Sequence, residues 1–130
     1  MKILLAPIMI SLCIILSAGI SEAQVTSAGS GNWSSGSTWV GGVVPDSTQN
    51  VLIASQHLVN IDNGNAVCNN ITFGDTSSHL SMGSASSVLS VYGNFTLFST
   101  AHKVFPFSAY WPAGAKIKFV GGAATQTLSG

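Results

Sequence analysis

Beyond its first two dozen residues the chain is written in short apolar runs with polar residues between them: Val51-Leu52-Ile53, Leu58-Val59-Asn60-Ile61, Ile71-Thr72-Phe73, Leu80-Ser81-Met82, Leu89-Ser90-Val91 and Phe95-Thr96-Leu97. Several of these alternate strictly. Leu89 and Val91 share one side with Ser90 on the other, and Leu80 and Met82 flank Ser81 in the same way. Period-two alternation places the apolar side chains on a single face of a strand. Gly and Asn interrupt every candidate helix after Gly31, so the pattern predicts an all-β segment of many short strands.

Strands of this length and rhythm fit a sandwich, a barrel or a solenoid. The connections favour the solenoid. They are corners rich in Gly, Ser and Asn, such as Asp62-Asn63-Gly64-Asn65, Gly74-Asp75-Thr76-Ser77-Ser78 and Gly83-Ser84-Ala85-Ser86-Ser87, rather than the two-residue turns typical of hairpins. An antiparallel β-sandwich is the alternative. Residues 99–115, with Phe105, Pro106, Phe107, Tyr110, Trp111 and Pro112, break the rhythm and are expected to form an excursion loop. Alternation resumes at Lys116-Ile117-Lys118-Phe119-Val120, which predicts outward lysines and inward Ile117 and Phe119.

The start of the chain has a different composition. Lys2 precedes an uncharged apolar run from Ile3 to Ile20, followed by Ser21-Glu22-Ala23. Small residues at minus three and minus one of a cut after Ala23 fit a cleavable signal peptide, residues 1–23, and hence a secreted or cell-surface location. An uncleaved membrane anchor is the competing reading. The expected organisation is a signal peptide at 1–23, an N-terminal cap segment at 24–49 and solenoid rungs from 50 to 130, with the natural protein continuing past Gly130.

Charge then narrows the choice of partner. Removing the leader leaves Lys103, Lys116 and Lys118 against Asp46, Asp62 and Asp75, with no arginine, so nucleic acid is not an expected partner. Cys68 is the single cysteine of the exported part and reads as a small buried apolar side chain. His57, His79 and His102 lack metal-ligand spacing, and the Asp62-Asn63-Gly64-Asn65 turn lacks the closing glutamate of a calcium loop, so no metal or other cofactor is expected. The three aspartates all sit in turns and form no acid pair of the glycosidase kind. No nucleophile-elbow pattern accompanies the serines. The segment is therefore read as non-catalytic.

Two features invite a ligand. Exposed indoles at Trp33 and Trp39 would stack on sugar rings, whereas buried ones would close the open end of a solenoid. Tyr110 and Trp111 in the aromatic loop divide in the same way between packing and a ligand platform.

Ser30-Gly31-Asn32-Trp33-Ser34, Ser37-Thr38-Trp39-Val40-Gly41-Gly42-Val43-Val44-Pro45 and Asn50-Val51-Leu52-Ile53 resemble the opening of the eight-glycine domain. They also resemble the N-terminal segments of large secreted β-solenoid proteins of Bacteroidetes-type bacteria. The resemblance runs on through the later Gly-bounded strands to Gly130. It implies a right-handed parallel β-helix and an adhesive or structural module of a longer surface protein, one that contacts polysaccharide or a host surface. The alternative is an accessory domain of a carbohydrate-active enzyme whose catalytic part lies beyond residue 130.

Overall fold

The computed structural model describes residues 22–97, 111–121 and the backbone of Leu128–Ser129. The leader up to Ser21, His102, Tyr110 and most of the expected excursion loop lie outside the described residues.

The chain winds through three faces in turn. β1 (Gln24–Thr26) and β2 (Gly31–Asn32) are followed by a single 3₁₀ turn at Gly36–Thr38. The next coil consists of β3 (Asn50–Ile53), β4 (Leu58–Ile61) and β5 (Ala66–Cys68), and the one after it of β6 (Ile71–Phe73), β7 (His79–Met82) and β8 (Val88–Val91). β9 (Phe95–Thr96), β10 (Lys116–Phe119) and β11 (Leu128–Ser129) complete the described strands. The first sheet is ordered β1-β3-β6-β9-β11, the second β2-β4-β7 and the third β5-β8-β10. Every strand ladder is parallel. The protein is therefore a parallel β-solenoid of about three turns, and among the described residues the antiparallel contact is the isolated Ser27–Trp39 bridge.

In-register stacking explains why such short strands suffice. Each coil's inward side chains land on those of its neighbour, so the alternation read along one strand becomes columns running through the molecule. On the first face Val51 lies against Ile71 and Ile71 against Phe95, and Ile53 lies against Phe73. The second face stacks Val59 on Leu80 and Ile61 on Met82, and the third stacks Cys68 on Val91. All of these are buried. The lysines of β10 point outward as expected, with Ile117 packed against the core. Phe119 differs: its ring meets Phe95 at 6.4 Å but stays 49% exposed, because it sits in the outermost described layer of its column.

The segment preceding β3 is built into the coil. β1 and β2 already hold register with β3 and β4. Residues 38–40 then return along the outer edge of β1, with Ala28 N–H donating to Thr38 O (2.8 Å) and Val40 N–H to Thr26 O (2.9 Å). β1 is thus paired on both sides. Gly41 and Gly42, at φ 87° and 74°, turn the chain away in the left-handed region that glycine adopts without strain.

Candidate functional site

The two indoles form the lid of the first coil. Trp33 N–H bonds to Asn60 O, which places Trp33 above Ile61 and Met82 in their column. The Trp39 ring meets it edge-on, centroids 4.9 Å apart at 74°, and Trp39 Nε1 donates to Trp33 O at 2.9 Å. They are 1% and 2% exposed, so neither presents a ring face to a sugar. The rest of the motif supports them: Thr38 is buried and its hydroxyl donates to Asn32 O (2.7 Å), and Pro45 is also buried. Trp33 Nε1 is buried without a hydrogen-bond partner.

The aspartates are occupied by their own corners. Asp46 Oδ1 accepts from both the hydroxyl and the N–H of Thr48, and Asp75 Oδ1 from the hydroxyl and N–H of Ser77. This is the local side-chain-to-backbone bonding that makes Asp a turn residue. Asp62 instead reaches across a coil to the hydroxyl and N–H of Ser34. Donation from Thr48 lowers the Asp46 pKa, and donation from Ser77 takes Asp75 down to about 2. Partial burial opposes ionisation of Asp62, but the two Ser34 donations outweigh it and the net shift is downward. The three carboxylates lie at corners following different strands and do not combine into an acid pair.

A pH dependence follows from their sign. A carboxyl whose pKa falls below its ordinary 3.8 on folding adds stability that is complete above that value and is lost as pH drops through the folded value. Thermal unfolding of the protein is expected to be level from neutral pH to about 5 and to weaken between about 4 and 2. Asp75→Asn should shallow that acid slope while also lowering the neutral-pH melting temperature. A slope unchanged by Asp75→Asn would show that its corner bonds do not carry the effect.

His57, His79 and Cys68 have structural roles. His79 Nδ1 lies 2.8 Å from Ser77 O, to which it donates. His57 Nδ1 lies 2.8 Å from Ser27 Oγ, an arrangement the sequence reading missed because the two residues meet only through the coil register. A hydroxyl against an imidazole has the outline of a nucleophile and its base. Ser27, however, is 2% exposed, and its Oγ also accepts the Ala54 N–H (2.8 Å), which ties β1 to the corner after β3. Cys68 is fully buried, and burial pushes its thiol up to about 12. Among the described residues no three His, Cys, Asp or Glu side chains gather around a metal position.

A further polar column runs along one corner of the fold. Asn50 opens β3, Asn70 and Asn94 directly precede β6 and β9, and the three stack at one corner. Asn70 Nδ2 donates to Asn50 Oδ1 (2.6 Å), and Asn94 N–H donates to Asn70 Oδ1 (2.6 Å). Glu22, which the expected cut after Ala23 would remove, ends the column in the uncut chain, accepting from Asn50 Nδ2 (2.8 Å) and Asn69 Nδ2 (3.1 Å).

The accessible aromatic surface lies elsewhere. Trp111 is 42% exposed, with Nε1 donating to Ala115 O at 2.9 Å immediately before β10, and Tyr92 is likewise 42% exposed at the opposite end of β8. Fold and site together define a parallel β-solenoid with a sealed first coil and its reactive groups held in corners. Comparison with protein-family models, curated proteins and solved structures found no match to the chain.

Proposed function

We propose that the chain is an exported, non-catalytic solenoid module that presents a rigid surface to extracellular polysaccharide, as the resemblance to eight-glycine-type surface proteins implies. The observation that carries this reading is the occupation of its chemically capable groups. The carboxylates are held by corner hydroxyls and amides, the Ser27 hydroxyl is buried, and the thiol is enclosed. A scaffold that uses its polar atoms to lock coil onto coil has a surface to offer. Export is supported by the leader-like pattern of residues 1–23 and by the start of β1 at Gln24, the residue following the expected cut.

The test incubates the purified protein with a panel of soluble and insoluble polysaccharides. Two readouts are taken, retention of the protein on the polymer and release of new reducing ends. Retention without new ends is expected. New reducing ends that disappear on mutation of Asp46, Asp62 or Asp75 would overturn the non-catalytic reading, and retention by none of the polymers would overturn the adhesive one.

A further inference from the structure

The outer face of the third sheet separates charge in a way the other described faces do not. Lys116 and Lys118, the cations among the described residues, lie two residues apart on β10, both exposed. Strand geometry puts residues i and i+2 on one side, about 7 Å apart. Neither ammonium group makes a hydrogen bond or ion pair with another described residue. All four carboxylates of the chain lie elsewhere, on neutral partners: Glu22 on Asn50 and Asn69, Asp46 on Thr48, Asp62 on Ser34 and Asp75 on Ser77. The strands of the third sheet contain no acidic residue. Asp62 precedes β5, but it is turned toward Ser34 of the preceding coil and away from β10.

Register shows what surrounds the two ammonium groups. Lys116 pairs with Val88, and Lys118 with Ser90 and through it Val67. Val120 N–H bonds to Val91 O, which brings Val120 alongside Tyr92. Trp111 folds back onto the Ala115 carbonyl at the Lys116 end, and Tyr92 stands at the Lys118 end. The face therefore runs from an exposed indole, past two unneutralised lysines, to an exposed phenol, over a distance of about four strand residues, roughly 13 Å. Aromatic rings stack on the apolar faces of sugars, and the lysines supply charge that only an anionic polymer would complement.

From this charge segregation we infer that the third-sheet face binds an acidic polysaccharide, a polymer carrying a carboxylate on its sugars, with Lys116 and Lys118 meeting the carboxylates and Trp111 and Tyr92 flanking them. This rests on the polysaccharide-contact reading above and adds the charge of the polymer and the face that meets it. Two lysines are too few to hold nucleic acid at physiological salt, where affinity rises with the number of phosphates neutralised.

The experiment measures binding of the protein to polygalacturonate, neutral galactan and vesicles containing phosphatidylserine, at low and at moderate salt. Polygalacturonate is expected to bind and galactan to bind much more weakly. Added salt should weaken the acidic complex, and the Lys116→Gln/Lys118→Gln variant should weaken it about tenfold. Lys116→Arg/Lys118→Arg, which keeps both charges, should restore binding, and circular dichroism of both variants should match the parent. Equal binding of galactan and polygalacturonate, unaffected by the glutamines, would overturn this inference and leave the proposed function standing. Binding to neither polymer would overturn this inference, and the wider polysaccharide panel decides the proposed function separately. Binding to anionic vesicles but not to polygalacturonate would overturn the inference in favour of a membrane surface.

Discussion

Trp33→Ala is expected to destabilise the protein by about 3–5 kcal/mol, the range for truncating a large aromatic in a core, and it is the largest effect anticipated for any single substitution in the first coil. Trp33 covers the Ile61–Met82 column, supports the edge of the Trp39 ring and supplies the carbonyl that receives Trp39 Nε1. Removing the side chain opens the inside of the first described coil. Small domains have only about 5–15 kcal/mol to lose, so the variant should unfold at markedly lower denaturant. Trp33→Phe should cost much less, because the shorter ring gives up area but also removes a buried N–H that has no partner. Trp39→Phe isolates the hydrogen bond to Trp33 O and should cost about 1 kcal/mol beyond its lost area. Guanidinium unfolding followed by circular dichroism measures all three. A Trp33→Ala protein that kept its stability and lost polysaccharide binding would reverse the assignment and make the indole a ligand contact.

The runs legible in the sequence became β3, β4, β6, β7, β8 and β9 with alternate apolar residues inside, because a strand that must bury one face reveals which face by its period of two, whereas β5 (Ala66–Cys68) was not among them. Corners were equally legible: Asp75-Thr76-Ser77-Ser78 and Ser84-Ala85-Ser86-Ser87 each place a hydroxyl on the backbone carbonyl of the coil before, Ser78 on Ala54 O and Ser87 on Ile61 O. The closure of the first edge was not legible. Residues 38–40 carry no alternation, and their pairing with β1 depends on a reversal made through the 3₁₀ turn at Gly36–Thr38, which the sequence presents only as a run of small residues between tryptophans. The Ser27–His57 contact was hidden for a related reason. Thirty positions separate the pair, and only the length of the intervening coil brings them together. The dual reading of Trp33 and Trp39 could not be resolved from sequence either, since a sugar platform and a core lid use the same side chain and differ only in which way it faces.

The asparagine column had a signal that went unread: Asn50-Val51-Leu52-Ile53, Asn70-Ile71-Thr72-Phe73 and Asn94-Phe95-Thr96-Leu97 each set an Asn directly before an apolar, variable, apolar triplet. Asn70 is the middle member, and Asn70→Ala is expected to cost about 2–4 kcal/mol, the sum of the penalties for leaving its partners unpaired. Its Oδ1 takes the Asn94 N–H, its Nδ2 reaches Asn50 Oδ1, and its own N–H donates to the same Asn50 oxygen. The side chain thus joins three successive coils at one corner. The neighbouring chain is shaped to admit it, because a Cβ at position 93 would collide with Asn70 Oδ1, so Gly93 is required there by close approach. Asn70→Asp separates donor from acceptor. An ionised carboxylate still receives Asn94 N–H but sets oxygen against Asn50 Oδ1, so at neutral pH it should recover only part of the loss. The double variant Asn50→Ala/Asn70→Ala should cost less than the sum of the two single changes, because the bond between them is counted in both. Denaturant unfolding of the four proteins measures this coupling, and strictly additive losses would show that the column is a row of independent contacts and not a connected ladder.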